Sequence, residues 1–219
     1  MTILTEVQRR LLRTILERGA EGASQALSRW LGEEVRLVLG EVEQIELEEA
    51  AEALGPPESL VAACRMGLVG PIGGSLLLCF EDHAGLALVD LLLHQPVGTT
   101  TEWGEVEQSA AMETTNIVGC AYLNALASHL PSSLGAGSSA MSTAGELAPT
   151  PPVFFHEFAG SLLQFALMDQ AQELDRVLLV RTNFELGGDG AGLDWTLLFV
   201  PDAPSLAAMA SALTDGNAS

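Results

Sequence analysis

Leu77-Leu78-Cys79-Phe80-Glu81-Asp82-His83-Ala84-Gly85-Leu86-Ala87 falls on Leu197-Leu198-Phe199-Val200-Pro201-Asp202-Ala203-Pro204-Ser205-Leu206-Ala207 at a constant offset of 120. In both copies a strand-like apolar run ends at an aspartate, and a helical period follows. An acid in the first turn of a helix is the favourable arrangement. A second pair of segments repeats as well: Arg10 to Leu31 falls on Ser109 to Leu130 at an offset of 99. A longer connection before Pro152, together with a longer fourth segment, accounts for the difference between the two offsets. Each half reads helix, strand, short helix, hairpin, helix, over about 5–95 and 102–213. Halves of this size cannot each bury much core, so they should share one. The expectation is an α/β (α+β) fold in one domain, residues 1–219. It would have a single six-stranded sheet with pseudo-twofold symmetry and the two long helices paired on one face.

Working outward, Thr5 to Leu31 carries the helical period through Leu11, Leu12, Ile15, Leu16, Ala23, Ala26, Leu27 and Trp30, and Gly32 is a stop. Val35 to Val42 alternates as a strand, and Glu46 to Leu54 is a short acidic helix ended by Gly55-Pro56-Pro57. Leu60 to Val69 and Ser75 to Phe80 read as strands joined by a turn over Gly70 to Gly74. Glu81-Asp82 opens a helix to about Leu93, and the second long helix spans Glu102 to Leu130. Pro131 to Pro152 is rich in Ser, Gly, Ala and Pro and reads as a loop. A helix over Phe154 to Ala171 follows, then strands Arg176 to Glu185 and Leu193 to Val200 around Gly187 to Gly190. Pro201-Asp202 opens a closing helix to Leu213, with a frayed tail from Thr214 to Ser219.

Composition narrows the function classes. The 219 residues are 48% hydrophobic and 17% charged, a globular balance. Nine arginines, no lysine and 29 acids give a net charge of −20, which disfavours nucleic acid and anionic membrane as partners. No apolar run is long enough to span a bilayer and no secretory signal opens the chain, so a cytoplasmic location is expected. Cys64, Cys79 and Cys120 are odd in number and widely spaced, and the four histidines are scattered, so no metal site is expected.

The polar exception on the second long helix is Ser109-Ala-Ala-Met-Glu113-Thr-Thr-Asn116. Glu113 and Asn116 stand side by side on one helical face, with Ser109 a turn before and Cys120 a turn after. Met112, Val118, Tyr122, Leu123, Leu126 and Leu130 point elsewhere, toward a core. The pair is therefore expected to be accessible while Met112, Tyr122 and Leu126 are buried. No histidine is placed in sequence to activate Ser109, so no serine nucleophile is implied.

The Ser109, Glu113, Asn116 spacing resembles the signature of the CheC/CheX/FliY family of chemotaxis proteins. Gly119-Cys-Ala-Tyr122-Leu-Asn124-Ala-Leu126, Pro151-Pro152-Val-Phe-Phe-His-Glu-Phe-Ala-Gly160 and Leu198-Phe-Val-Pro201-Asp202 resemble its further blocks. The resemblance covers nearly the whole chain and implies a CheC-like internally duplicated domain. Two departures stand out. Pro151 comes later after Asn116 than in the family, so the Ser/Gly-rich loop looks like an insertion. CheC-type proteins also carry the signature on the first helix, and here the equivalent positions are Arg10, Thr14 and Glu17. Thr14 and Glu17 thus look like a degenerate second site, as in CheX-like use of one site per chain.

The resemblance implies a phosphatase acting on the aspartyl phosphate of a CheY-like response regulator. Glu113 and Asn116 would be catalytic, with Ser109 and Cys120 as partner contacts. The chain would need no cofactor of its own, because the receiver domain carries Mg²⁺ and a lysine to its phosphoryl oxygens. The alternative is a non-catalytic adaptor that holds a receiver, the deamidase CheD or a flagellar switch component.

Overall fold

The computed structural model describes residues 3–129, 147–167, 176–186 and 192–215. Helix α1 (Glu6–Leu31) opens on a capping box in which Gln8 N–H donates to Thr5 Oγ1 at 3.3 Å and Thr5 N–H donates to Gln8 Oε1 at 2.8 Å. It stops at Gly32, whose φ of 73° is the left-handed cap that glycine adopts without strain. The first half continues with β1 (Val35–Glu46), α2 (Leu47–Ala53), the hairpin β2 (Leu60–Val69) and β3 (Gly74–Glu81), and α3 (Asp82–Leu92). The second half repeats that order: α4 (Glu105–His129), the short β4 (Ala148–Pro149), β5 (Val153–Phe158), α5 (Ala159–Ala166), β6 (Arg176–Leu186), β7 (Gly192–Pro201) and α6 (Ala203–Asp215).

All seven strands form one sheet in the order β1-β6-β7-β3-β2, with β5 and β4 both pairing along the outer side of β2. Every pairing is antiparallel. The six expected sheet positions are present, and the last is shared by β5 and the two-residue β4. Exchanging the halves maps β1 onto β5, β2 onto β6 and β3 onto β7, which returns the same order reversed. The register agrees. Leu77 pairs with Leu198 and Leu78 with Leu197, so the offset of 120 puts a pseudo-dyad between those two pairs.

Two cores lie on the two faces of the sheet. On one face α1, α3, α4 and α6 bury Leu12, Leu16, Leu27, Leu88, Tyr122 and Met209 against Leu76, Leu78, Val180 and Phe199. On the other, α2 and α5 bury Ala50, Leu162 and Leu163 against Leu77, Leu179 and Leu198. Burying a leucine fully removes enough apolar surface to stabilise the fold by about 1.5–3 kcal/mol. This alternation along β3 and β7 is why those strands read as continuous apolar runs rather than alternating ones.

The two long helices pair on one face, as the repeat predicts. Gly19 lies against Tyr122, where an added Cβ would come within 2.5 Å of the ring and 2.9 Å of the Tyr122 Cα. Gly22 faces Ala121, its own image at the offset of 99, so that contact sits on the pseudo-dyad. Arg18 reaches His129. Positions later in α1 thus meet positions earlier in α4, and the helices run antiparallel.

Several boundaries differ from the sequence reading. The expected helix from Phe154 to Ala171 is a strand followed by a shorter helix. Pro151-Pro152 and the run Val153-Phe154-Phe155 favour extended backbone, and the free edge of β2 supplies the partners, pairing Ala63 with Phe155 and Leu60 with Phe158. The helical period begins only at Ala159, and the segment beyond Leu167 lies outside the described residues. Strand β1 runs on to Glu46 because β6 offers register partners that far, beyond a bulge between Leu39 and Val42. The second long helix starts at Glu105 instead of Glu102, and α6 continues through Thr214 to Asp215, where a frayed tail was expected. Within the Pro131–Pro152 loop, Ala148 and Pro149 join β2, while residues 130–146, Leu130 included, lie outside the described residues, as do the turn at 187–191 and the tail at 216–219.

Candidate functional site

Helix α4 turns its threonines inward and its acid and amide outward. Thr114 and Thr115 are buried, and their hydroxyls donate back to the carbonyls of Ala110 and Ala111 at 2.9 Å each. That local bond lets a β-branched polar side chain lie in a core without an orphaned group. Val118, Tyr122, Leu123 and Leu126 extend the buried face, and Gly119 lets the helix settle on Met66, whose Sδ lies 2.6 Å from where a Cβ would stand. Met112, expected in the core, is only half-buried. It sits at the margin of the buried arc, where Ala111 and Thr115 take the central places.

The opposite stripe carries the motif. Ser109 and Glu113 are exposed, and Asn116 and Cys120 are half-buried. The Cys120 thiol, a weak donor, donates to Asn116 Oδ1 at 3.7 Å, and the Asn116 Nδ2 donors have no partner among the described residues. Burial raises the Cys120 thiol above its ordinary range, and the nearby Glu113 carboxylate raises it further. The thiol is therefore a neutral hydrogen-bond donor and not a nucleophile. Glu113 makes no hydrogen bond or ion pair among the described residues.

Asn116 and Cys120 form part of one wall of an open groove of about 690 Å³ between α1 and α4. The α4 wall continues through Asn124, Ser128 and His129, and the α1 wall is Arg18, Gly22, Ala26 and Arg29. Arg18 donates to His129 Nε2, whose Nδ1 in turn donates to the Ala125 carbonyl at 2.8 Å. The structure thus brings Asn116 and Cys120 together in the groove, with Glu113 beside them on the same helical face. Ser109, farther along that face, does not line the groove. Thr14 and Glu17 do not line it either: the Thr14 hydroxyl donates to Arg10 O at 3.2 Å, and Glu17 pairs with Arg13 at 3.2 Å.

The α1 wall was missed in the sequence. Arg18, Gly22, Ala26 and Arg29 recur at helical spacing with small residues between two cations, a pattern that marks a groove only once α4 is known to lie alongside. The other cysteines offer no chemistry: burial pushes Cys64 up to about 12 and Cys79 higher still. Among the described residues no three His, Cys, Asp or Glu side chains gather as metal ligands, and no helix is long and apolar enough to cross a membrane.

No family model matches the chain. Solved structures do. FliY from Thermotoga maritima is similar over 98% of this chain and 100% of its own, with a TM-score of 0.73 and 14% identity. The FliM middle domain from H. pylori is similar over 95% of this chain and 99% of its own, at 0.67 and 15%. The chemotaxis protein CheX from Desulfovibrio desulfuricans covers 86% of this chain and 99% of its own, at 0.51 and 12%. The chain has the CheC/CheX/FliY fold. Within that fold the pseudo-dyad at Leu77–Leu78 and Leu197–Leu198 makes α1 and α4 equivalent, so any difference between them is a property of this sequence and not of the architecture.

Proposed function

We propose that the chain hydrolyses the aspartyl phosphate of a CheY-like receiver domain, working from one site on α4. The observation that carries this reading is that Glu113 and Asn116 share one outward helical face, and that neither the Glu113 carboxylate nor the Asn116 amide donors at the groove wall have a partner among the described residues. The chemical demand is small. An acyl phosphate is already reactive, and the receiver brings Mg²⁺ and a lysine to the phosphoryl oxygens. What it lacks is a water held in line. Asn116 holds that water; the water oxygen bonds to phosphorus as the P–O bond to the aspartyl carboxylate breaks. The products are inorganic phosphate, a free carboxylate and a proton released to solvent. Glu113 accepts from the receiver's lysine and sets the register of the two proteins. The fold shared with FliY, FliM and the chemotaxis protein CheX supports a task in chemotaxis signalling.

The test is single-turnover decay of the phosphorylated receiver. The wild-type chain should accelerate it, and Asn116→Ala should remove most of the acceleration while leaving binding largely intact, since it deletes an orienting amide and little contact area. Glu113→Ala should weaken binding as well, because the receiver's lysine loses its partner. One observation favours a second reading, an adaptor that holds a receiver, CheD or a flagellar switch component: the FliM middle domain is similar over 95% of this chain, and an H. pylori FliM was solved in complex with FliG. Binding without any acceleration of phosphate loss by the wild type would select the adaptor.

A further inference from the structure

The groove beside Asn116 is cationic, although the chain as a whole carries −20. Three arginines elsewhere form ion pairs: Arg10 with Glu6, Arg13 with Glu17 and Glu41, and Arg176 with Glu46. Arg18 and Arg29 are exposed, line the groove, and pair with no carboxylate among the described residues; Arg18 donates to a histidine instead. The antiparallel run of α1 and α4 sets their places. Arg29 lies at the Asn116 end and Arg18 at the His129 end. The floor between them is Gly22, Ala26 and Ala121, too small to fill the space.

We infer that this groove is an electrostatic docking track for the acidic rim around the partner's phosphorylation site. Arg29 receives carboxylates of that rim at the Asn116 end of the groove, and Arg18 with His129 receives an acidic stretch farther along. The inference rests on the receiver reading above and adds to it the residues that select the partner. Two proteins each acidic at their contact faces would repel. A pair of unneutralised guanidiniums in a concave, small-residue groove reverses the local field where the anion must arrive. Such charges act on encounter and affinity and leave the bond-breaking step alone.

The experiment titrates a CheY-type receiver carrying beryllofluoride, a stable phosphoryl mimic, against the full chain, and follows single-turnover decay of the phosphorylated receiver at saturation. Arg29→Glu should weaken binding about tenfold or more and Arg18→Glu several-fold, each with a shallower salt dependence than wild type. The saturated decay rate should stay within about twofold for both, a separation a merely structural role would not produce. Both side chains are exposed, so thermal melts should match wild type and remove misfolding as an explanation. Wild-type binding and turnover with unchanged affinity and salt slope in both variants overturn this inference and leave the phosphatase reading standing. Wild type that neither binds nor dephosphorylates the receiver overturns both.

Discussion

Thr14 and Glu17 on α1 occupy the places that Glu113 and Asn116 occupy on α4, one pseudo-dyad apart, and the two pairs behave in opposite ways. On α1 the Thr14 hydroxyl is spent on the Arg10 carbonyl, and Glu17 is bridged by Arg13, which also reaches Glu41 at 2.8 Å. On α4 the acid has no partner among the described residues, and the amide's hydrogen bond there is with the Cys120 thiol. The architecture supplies two equivalent helical faces, and local hydrogen bonding decides which one remains available. What sets the α4 pair apart is thus less its residue types than the lack, among the described residues, of neighbours that satisfy it.

The widest gap expected between the two faces is in turnover. Asn116→Ala should slow single-turnover decay by about a hundredfold, the scale of losing one positioning contact, whereas Glu17→Ala should leave it unchanged. Equal damage from both would place activity on α1 and break the comparison at its root.

The next effect concerns how the halves meet. Gly19 accommodates Tyr122, while their images at the offset of 99, Val118 and Ala23, divide large and small the other way; all but Gly19 are almost fully buried hydrophobics. The dyad is therefore kept in backbone and broken in side chains. Gly19→Ala puts a methyl into the Tyr122 ring and backbone, and overpacking of that kind costs about 1–3 kcal/mol. Urea denaturation should show that loss, and the groove should widen enough to weaken receiver binding as well. A variant as stable as wild type would mean that the helices are free to move apart.

A third difference lies in the connections. Asp90 on α3 is fully buried and gathers the loop that leads into α4. Its Oδ2 accepts from Gly98 N–H at 2.7 Å and Thr99 N–H at 3.0 Å, and its Oδ1 from Thr100 N–H at 2.9 Å. The image position on α6 is Ala210. Burial raises the Asp90 carboxyl, but the Thr100, Gly98 and Thr99 donors outweigh it and hold it below its ordinary value. A depressed carboxylate stabilises the fold above its unfolded pKa of about 3.9, and that contribution is lost as pH falls through the lower folded value. Asp90→Asn should cost about 1–3 kcal/mol at neutral pH, the scale of leaving buried donors poorly satisfied. The gap to wild type should narrow in acid, where wild type loses the same charge. A gap that does not change with pH would remove Asp90 as the element that fixes the start of α4.

Much of this was legible in the sequence, for physical reasons that can be traced. The offset of 120 around Asp82 and Asp202 implied a shared sheet because two half-cores cannot stand alone, and the Leu77–Leu198 register bears it out. The outward face of Glu113 and Asn116 followed from helical angle. β5 was misread because Phe154, Phe155 and Phe158 suit either period, and only the open edge of β2, a long-range feature, decides between them. Asp90 and the Arg18–Arg29 wall were invisible because each depends on a tertiary neighbour, a loop in one case and an antiparallel helix in the other.

The smallest expected effect tests whether the difference between the faces is only chemical. Thr14→Glu combined with Glu17→Asn recreates the acid–amide pair on α1 at positions the pseudo-dyad makes equivalent. It also frees Arg13 from its helical partner, leaving Glu41 to hold it. If helical geometry suffices, a second working site should raise turnover per chain to at most about double, a gain of roughly 0.4 kcal/mol at 1.4 kcal/mol per tenfold. The gain should fall short of double because the image of Cys120 is Glu21, so the second amide would lack the neighbouring thiol and have a carboxylate in its place. Adding Asn116→Ala to the double variant isolates the new site. Decay above that of Asn116→Ala alone would show that the pair is enough, and decay equal to it would show that the groove around Asn116 is as much a part of the site as the pair itself.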